Sequence, residues 1–289
     1  MQEPTLRDWL SIGLLGLIWG ATFMVIAVAL RGYGPLTVAT ARTALGAVTL
    51  IGILALRRPP LPQVTAPLVV ALPVIGLFST AVPFFLLSWG QQYVASAFAG
   101  LSMAAVPLFV LPLAHLFVPG ERLSWRRASA FLAGFLGVVV LTGPEALEAQ
   151  GALMPRLACL GAALCYAISA IVTRRCPAID PVLLAATSLT AGALALIPAM
   201  LAVEGLPHPV SGLPSLAIIL LGLVPTAFAA LLRVQLIRGA GPGFMTLTNY
   251  QVPLWSVAFG TLVLGETLSP RFFLALGLIL GGLALARRH

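Results

Sequence analysis

The segment Gly120-Glu121-Arg122-Leu123-Ser124 returns near the end of the chain as Gly265-Glu266-Thr267-Leu268-Ser269. The repetition extends outward from these two segments. Moving residues 157–288 back by 146 positions places them on residues 11–142, with matching Gly, Pro and Thr residues at several points. A duplication of this length indicates two copies of one structural unit. We therefore predict two domains of the same architecture, residues 9–142 and residues 152–288.

The composition of the chain is that of a membrane protein. Apolar residues make up 60% of it and charged residues 8%, whereas about a quarter of a soluble domain is charged. A helix that crosses a bilayer needs about 20 mostly apolar residues. This rule predicts ten spans, near residues 9–30, 35–56, 67–89, 93–117, 125–142, 152–173, 180–202, 213–236, 242–264 and 270–286.

The distribution of arginines predicts the orientation of these spans. Eleven arginines lie at the termini and in the loops after even-numbered spans, and three lie in the other loops. Because positive residues are enriched in cytoplasmic loops, we expect both termini in the cytoplasm. Five spans per copy is an odd number, so the second copy inserts upside down. The predicted fold is an all-α integral membrane protein with ten transmembrane helices as two inverted five-helix repeats, an architecture typical of secondary transporters.

The charged residues exclude several functions. All sixteen cationic residues are arginine, which excludes a P-loop ATP site and a Schiff-base lysine. None of the eight Asp and Glu residues lies in the middle of a predicted span, where proton-coupled pumps usually carry a carboxylate. We expect facilitated diffusion of a small-molecule substrate, with membrane lipid as the surroundings. No cofactor, metal, nucleic acid or ATPase subunit is expected.

The doubled motif, together with Ile18-Trp19-Gly20 in the first span, resembles the drug/metabolite transporter superfamily and its ten-helix EamA-type permeases. The resemblance covers the whole chain. It implies an exporter of small metabolites, often amino acids, in the bacterial inner membrane, with a central cavity between the halves. Among family members, the chain is most similar to an amino-acid exporter. It departs from the pattern at Cys165-Tyr166, which stands where the second copy of Trp19-Gly20 would be.

Three polar residues of the ninth span, Asn249, Tyr250 and Gln251, are the first candidates for substrate binding. They precede Pro253, which cannot donate a backbone hydrogen bond, so we predict a broken or kinked helix there. Transporters expose backbone and side-chain groups to substrate at such breaks. The alternative is hydrogen bonding between helices, which contributes about 0.6 kcal/mol per bond.

The first and sixth spans occupy the same position in the two repeats, and each has a polar face. The polar face of the first span carries Trp19 and Thr22, and that of the sixth span carries Tyr166 and Ser169. The two residues of each pair are three positions apart, which places them on the same side of a helix. We expect both faces to line the interface between the repeats, with the two rings as aromatic walls of the cavity. Packing of the rings inside the protein is the alternative.

The third and fourth spans supply four further candidates next to prolines. These are Phe78 and Ser79 before Pro83, and Ser102 and Met103 before Pro107.

Ionisable side chains inside a span cost roughly 2.5–3.5 kcal/mol to insert, so each needs an explanation. Arg42 binds a carboxylate or phosphate of the substrate, pairs with a helix end, or snorkels outward. Arg233 is close enough to the cytoplasmic surface to snorkel. His115 is a proton relay or a packing residue. Glu121 and Glu266 are expected to be structural, capping the helix that follows or pairing with arginine.

Neutral or aromatic amino acids are the predicted substrates, because the expected cavity is mildly polar, edged by aromatic rings and nearly uncharged. The alternative is another metabolite or a drug, such as a sugar phosphate, a nucleotide sugar or a cationic drug. A phosphate-bearing substrate would need several cations near the middle of the membrane, and only Arg42 and Arg233 are available. A membrane enzyme would need clustered acids or metal ligands, whereas the three histidines are scattered along the chain.

Overall fold

The computed structural model describes residues 4–59, 62–63, 65–118, 125–142, 153–177 and 179–287. Every regular element within these ranges is helical. The first half of the chain contributes α1 (Leu6–Ala29), α2 (Pro35–Arg57), α3 (Ala66–Gly76), α4 (Val82–Gly90), α5 (Ser96–Ser102), α6 (Val106–Phe117) and α7 (Trp125–Thr142). The second half contributes α8 (Leu153–Arg175), α9 (Pro181–Val203), α10 (Leu213–Leu221), α11 (Ala229–Gly239), α12 (Pro242–Met245), α13 (Thr248–Leu262) and α14 (Pro270–Arg287).

Seven helical stretches in the described part of the chain are long and apolar enough to cross a membrane. They are Leu6–Ala29, Pro35–Arg57, Ala66–Gly90, Ser96–Phe117, Leu153–Arg175, Pro181–Val203 and Leu213–Ile237. They coincide with the predicted spans one to four and six to eight. Helices α7, α13 and α14 lie at the three remaining predicted positions. The total of ten spans stays a prediction.

Three spans are interrupted by a change of helix type. A π-helical segment, Leu77–Ala81, separates α3 from α4, and a second one, Gly222–Phe228, separates α10 from α11. Moving the first by 146 positions places it inside the second. A 3-10 segment, Met103–Ala105, separates α5 from α6. Such interruptions occur often at functional sites, because they leave the regular hydrogen-bond ladder of the α-helix.

The predicted break in the ninth span is present at a different residue. The helix is interrupted at Thr246 and Leu247, between α12 and α13, and α13 continues through Pro253 without a break. Pro253 is the sixth residue of α13, so the carbonyl four residues before it lies in the first turn of the helix. Because proline has no N–H, that carbonyl, of Asn249, receives no hydrogen bond from Pro253.

Each half packs mainly against the other half. Helix α7 packs along α14, α2 along α9, and α1 along α13. Cluster A, the largest group of buried apolar side chains, includes Leu101, Ala162 and Ile279. Cluster B, which includes Ala39 and Ala186, lies between α2, α4 and α9.

The contacts between the halves are reciprocal. A Cβ added to Gly46 would lie 2.6 Å from the Cγ2 of Thr226, and one added to Gly192 would collide with the hydroxyl of Thr80. Gly46 and Gly192 are equivalent under the 146-residue shift, as are Thr80 and Thr226. Each π-helical segment therefore presents a threonine to a glycine of the opposite half, and the absent side chain allows the helices to approach closely.

Two Gly-x-x-x-Gly pairs have different surroundings. A Cβ on Gly16 or Gly20 would collide with Gln251 and Trp255 of α13, so this pair makes room for the α1–α13 contact. A Cβ on Gly277 or Gly281 would meet nothing within 4 Å. The second pair therefore makes no such close contact with another described element.

The start of α2 is capped by a carboxylate from the second half. Its N-cap residue, Gly34, has no side chain to accept a hydrogen bond. Glu204, just after α9, accepts hydrogen bonds from the N–H groups of Leu36 and Thr37, both at 2.8 Å. Negative charge at a helix N-terminus is stabilising because the first N–H groups have no partner within the helix.

Glu266 caps a helix, but not the one that follows it. Its carboxylate accepts hydrogen bonds from the N–H groups of Ser96 (2.6 Å) and Ala97 (3.0 Å), at the start of α5 in the first half. The prediction that Glu266 caps the next helix is therefore wrong, since the nearest unsatisfied N–H groups belong to α5. Glu121, its counterpart in the repeated motif, lies outside the described residues.

Candidate functional site

The candidate site is centred on Arg42 of α2, where the two halves meet. Arg42 is buried, with 4% of the residue's surface exposed. The Cζ atom lies 3.8 Å from the centre of the Phe84 ring of α4. Its Nη2 donates a hydrogen bond of 3.4 Å to the hydroxyl of Thr226, on the second π-helical segment. Elements of both halves therefore enclose the guanidinium.

Arg42 has few partners for a buried charge. It is the one charged side chain among the described residues that is buried. Its Nε has no hydrogen-bond acceptor in this part of the chain, and no carboxylate described here forms an ion pair with it. The cation–π contact with Phe84 compensates part of the cost of burial, with a contribution of about 0.5–2 kcal/mol. A buried charge without a matching anion suits a site that binds one.

Tyr166 and Trp19 flank this position. Tyr166 of α8 lies near Arg42, and its half-buried ring packs against both cluster A and cluster B. The half-buried indole of Trp19 donates from Nε1 to the carbonyl of Pro225, at 3.3 Å, across the two halves. The structure thus brings both predicted aromatic residues to the contact between the halves, where rings that border a cavity would lie.

Three predicted hydroxyl residues, Thr22, Ser102 and Ser169, are buried. The hydroxyl of Thr22 donates to the carbonyl of Ile18, and that of Ser102 donates to the carbonyl of Phe98, each at 2.9 Å. Because these donors are used within their own helices, the oxygens are available mainly as acceptors.

Six of the predicted residues lie at the helix interruptions and are half-buried. Phe78 and Ser79 are on the first π-helical segment, Met103 begins the 3-10 segment, and α13 carries three more, Asn249, Tyr250 and Gln251. Met103 and Tyr250 pack against cluster A. Gln251 lies against Gly16 of α1. The side chain of Asn249 makes no hydrogen bond to another described residue.

Sequence reasoning overlooked three residues that contact the predicted ones. Phe84 and Thr226 touch Arg42, and the carbonyl of Pro225 accepts the hydrogen bond of Trp19. Thr226 belongs to the doubled segment that also contains Thr80, so the repeat itself could have indicated it. Phe84 gave no such signal, because its counterpart in the second half is Ala230.

Two other ionisable candidates lie away from this position. The side chains of Arg233 and His115 are both exposed. The exposed side chain of Arg233 agrees with snorkelling toward the membrane surface. Arg233 is therefore unlike Arg42, which is buried.

The sequence profile of the EamA-like transporter family matches residues 8–143 and residues 154–288. The chain belongs to the EamA-like transporter family. Membership confirms the resemblance to the drug/metabolite transporter superfamily and, together with the apolar helices, makes the chain a multi-pass membrane protein.

Relatives of this EamA-like chain carry transporter names. The uncharacterised inner membrane transporter YedA of Escherichia coli K12 is 31% identical, over 92% of this chain and 85% of YedA. A probable terminal-alkyne amino-acid exporter of Streptantibioticus cattleyicolor is 26% identical, over 94% of this chain and 90% of that protein. One crystal structure, at 24% identity, has a TM-score of 0.68 and covers 96% of each chain. This likeness shows the fold.

Proposed function

We propose that this protein is a facilitative carrier that exports small metabolites across the bacterial inner membrane, with neutral or aromatic amino acids as its main substrates. The site around Arg42 carries the proposal. It lies between the halves, it contains the one buried charge of the described chain, and it is bordered by interrupted helices. Substrate sites of secondary transporters occupy this position, between repeats and beside discontinuous helices.

The architecture that we propose is ten transmembrane helices in two inverted repeats, residues 9–142 and 152–288, with both termini in the cytoplasm. Support comes from the reciprocal glycine–threonine contacts and from the π-helical segments at equivalent positions. Two inverted halves can exchange conformations, which opens the site first to one side of the membrane and then to the other. This exchange gives alternating access.

The substrate class rests on the character of the site. Trp19, Phe84 and Tyr166 offer aromatic surface, and Arg42 offers one positive charge. A neutral amino acid matches this combination, because its carboxylate is anionic and its side chain is apolar. The name of the relative from Streptantibioticus cattleyicolor, a probable amino-acid exporter, supports the same class.

Export is tested in bacterial cells that carry this protein or its Trp19→Ala variant. The cells are loaded with labelled L-phenylalanine, L-leucine or L-alanine, and the loss of label into amino-acid-free medium is followed. We expect faster loss from cells with the natural protein than from cells with an equal amount of the variant. If cells with the natural protein and cells with the variant lost each of the three amino acids at the same rate, the proposed function would be contradicted.

A further inference from the structure

We propose that Arg42 binds the carboxylate of the transported solute, so that the substrate must carry a single negative charge at one end. This inference rests on the proposed function and adds to it the chemical group that the carrier recognises. A solute that lacks the carboxylate is then rejected even when its size and apolar part are correct.

The guanidinium of Arg42 has unused hydrogen-bonding capacity. An arginine presents five N–H donors in a planar fork, and among the described residues Arg42 has one acceptor, the hydroxyl of Thr226. That bond is 3.4 Å long, well beyond the usual 2.7–3.2 Å. The Nε atom is buried and has no acceptor in the described chain. The side chain therefore has buried N–H donors that no described residue satisfies.

The geometry favours a carboxylate over other acceptors. The ring of Phe84 covers one face of the guanidinium at 3.8 Å, so an anion must approach along the edge that carries the N–H groups. A carboxylate bonds this edge through two parallel hydrogen bonds. One buried cation balances one anionic charge, whereas a phosphate carries between one and two at neutral pH and would leave negative charge unbalanced in an apolar site.

The repeat shows that the helix contact at Arg42 does not require an arginine. The equivalent of Arg42 in the second half is Ser188. The backbone contacts at the two positions match, because Gly222 approaches the carbonyl of Arg42 and Gly76 approaches the carbonyl of Ser188, whereas Phe84, which covers Arg42, has Ala230 as its counterpart. Ser188 fills its position with a short hydroxyl side chain that is also buried. Because the same helix contact forms with serine, we infer that the cation of Arg42 has a role other than that contact. Its charge makes the first half of the site cationic, whereas the second half has a neutral serine.

The first test needs only the natural protein, purified in detergent micelles. Thermal unfolding is measured with L-phenylalanine, L-leucine and L-alanine, and with three analogues of each: the carboxamide, the decarboxylated amine and the deaminated acid. We expect the amino acids and the deaminated acids to raise the unfolding temperature, and the amides and amines to have little effect. Equal effects of amides and acids, or no effect of any carboxylate, would overturn the inference.

The second test uses Arg42→Gln and Arg42→Lys, with Arg233→Gln as the control for loss of an exposed arginine. Hydrogen bonds to charged groups contribute about 1.5–3 kcal/mol, so Arg42→Gln should weaken binding of the acids by roughly 10- to 100-fold. Arg42→Lys keeps the charge but not the fork and should weaken binding less. Arg233→Gln should bind as the natural protein does. Undiminished binding of acids by Arg42→Gln would overturn the inference.

Inorganic phosphate is included as a competing anion. Stabilisation by phosphate equal to that by the carboxylates would overturn the assignment of a carboxylate site. Failure of this inference can be told apart from failure of the proposed function, because the efflux experiment in cells measures export and does not depend on the role of Arg42. Efflux of amino acids with no preference for acids over amides would leave the function standing and refute the role of Arg42.

Discussion

The carboxylate of Glu204 accepts hydrogen bonds from both the backbone N–H and the hydroxyl of Thr37, at 2.8 Å and 2.7 Å. The two residues belong to different halves and are 167 positions apart in the sequence. Glu266 makes the equivalent kind of contact with α5. Both caps lie on the face that the arginine distribution predicts to be outside.

Removal of the first cap should destabilise the protein. In Glu204→Ala, two N–H groups and one hydroxyl lose their acceptor, at a cost of about 1–3 kcal/mol. Glu204→Gln keeps an acceptor but loses the charge that favours a helix N-terminus, so it should cost less. The temperature of thermal unfolding in detergent measures the effect. Gln92→Ala removes an exposed polar side chain and serves as control. Unfolding temperatures that are the same for Glu204→Ala and Gln92→Ala would refute the cap.

The reciprocal glycines should tolerate no side chain. Gly46→Ala places a methyl group 2.6 Å from the Cγ2 of Thr226, and Gly192→Ala brings one against Thr80. Overpacking of this kind costs about 1–3 kcal/mol, and it should also slow transport, because it separates the halves at the π-helical segments. Unfolding temperature and amino-acid efflux measure the two effects.

Gly52 provides a matched control on the same helix as Gly46. A Cβ at Gly52 would meet nothing within 4 Å, and alanine is favoured over glycine inside a helix by about 0.5–1 kcal/mol. Gly52→Ala should therefore be neutral or stabilising. If Gly46→Ala and Gly52→Ala had the same effect, the close contact between the halves would be excluded.

Much of this fold could be predicted from the sequence, because membrane helices follow a simple rule of length and apolarity. The helices lie within a few residues of the predicted spans, and the duplicated Gly and Thr positions are those that join the halves. The prediction from sequence was wrong where a side chain has its hydrogen-bond partner in the other half. Glu266 was expected to act on its neighbour in sequence, but it caps α5, and nothing local indicates a partner 170 positions away.

The candidate site could be predicted only in part, for a similar reason. Arg42, Trp19 and Tyr166 were indicated by their polarity within apolar spans. Phe84 is one of 14 phenylalanines, and only its place over the guanidinium of Arg42 separates it from the others. Backbone acceptors such as the carbonyl of Pro225 carry no signature in the sequence, because every residue has one.

The hydrogen bond of Trp19 should matter for transport more than for folding. Trp19→Phe keeps an aromatic ring but removes the Nε1 donor to the carbonyl of Pro225, a loss of about 0.5–1.5 kcal/mol. We expect efflux to fall several-fold, while the unfolding temperature falls only by the few degrees that a loss of this size gives. Trp9→Phe, at an exposed tryptophan of the same helix, should leave efflux unchanged. An unchanged efflux in Trp19→Phe would remove this residue from the site.

A pH gradient alone should not drive transport. No Asp or Glu lies in the middle of a predicted span, and none of those among the described residues is buried. The side chain of His115 is exposed. Proton-coupled pumps usually bury a carboxylate on the route. Proteoliposomes with equal amino-acid concentrations on both sides should show no net flux when the external pH is changed, and His115→Ala should behave as the natural protein does. Net flux that follows the pH gradient, and is lost in His115→Ala, would establish proton coupling.

Counterflow in proteoliposomes tests the carrier and its site most directly. Vesicles are preloaded with an unlabelled amino acid, and entry of the labelled one is followed for the natural protein, Arg42→Gln, Asn249→Ala and Arg233→Gln. We expect transient accumulation of neutral or aromatic amino acids by the natural protein and by Arg233→Gln, with strong loss in Arg42→Gln and partial loss in Asn249→Ala. Absence of counterflow for every amino acid, or counterflow that is unaffected in Arg42→Gln, would contradict it.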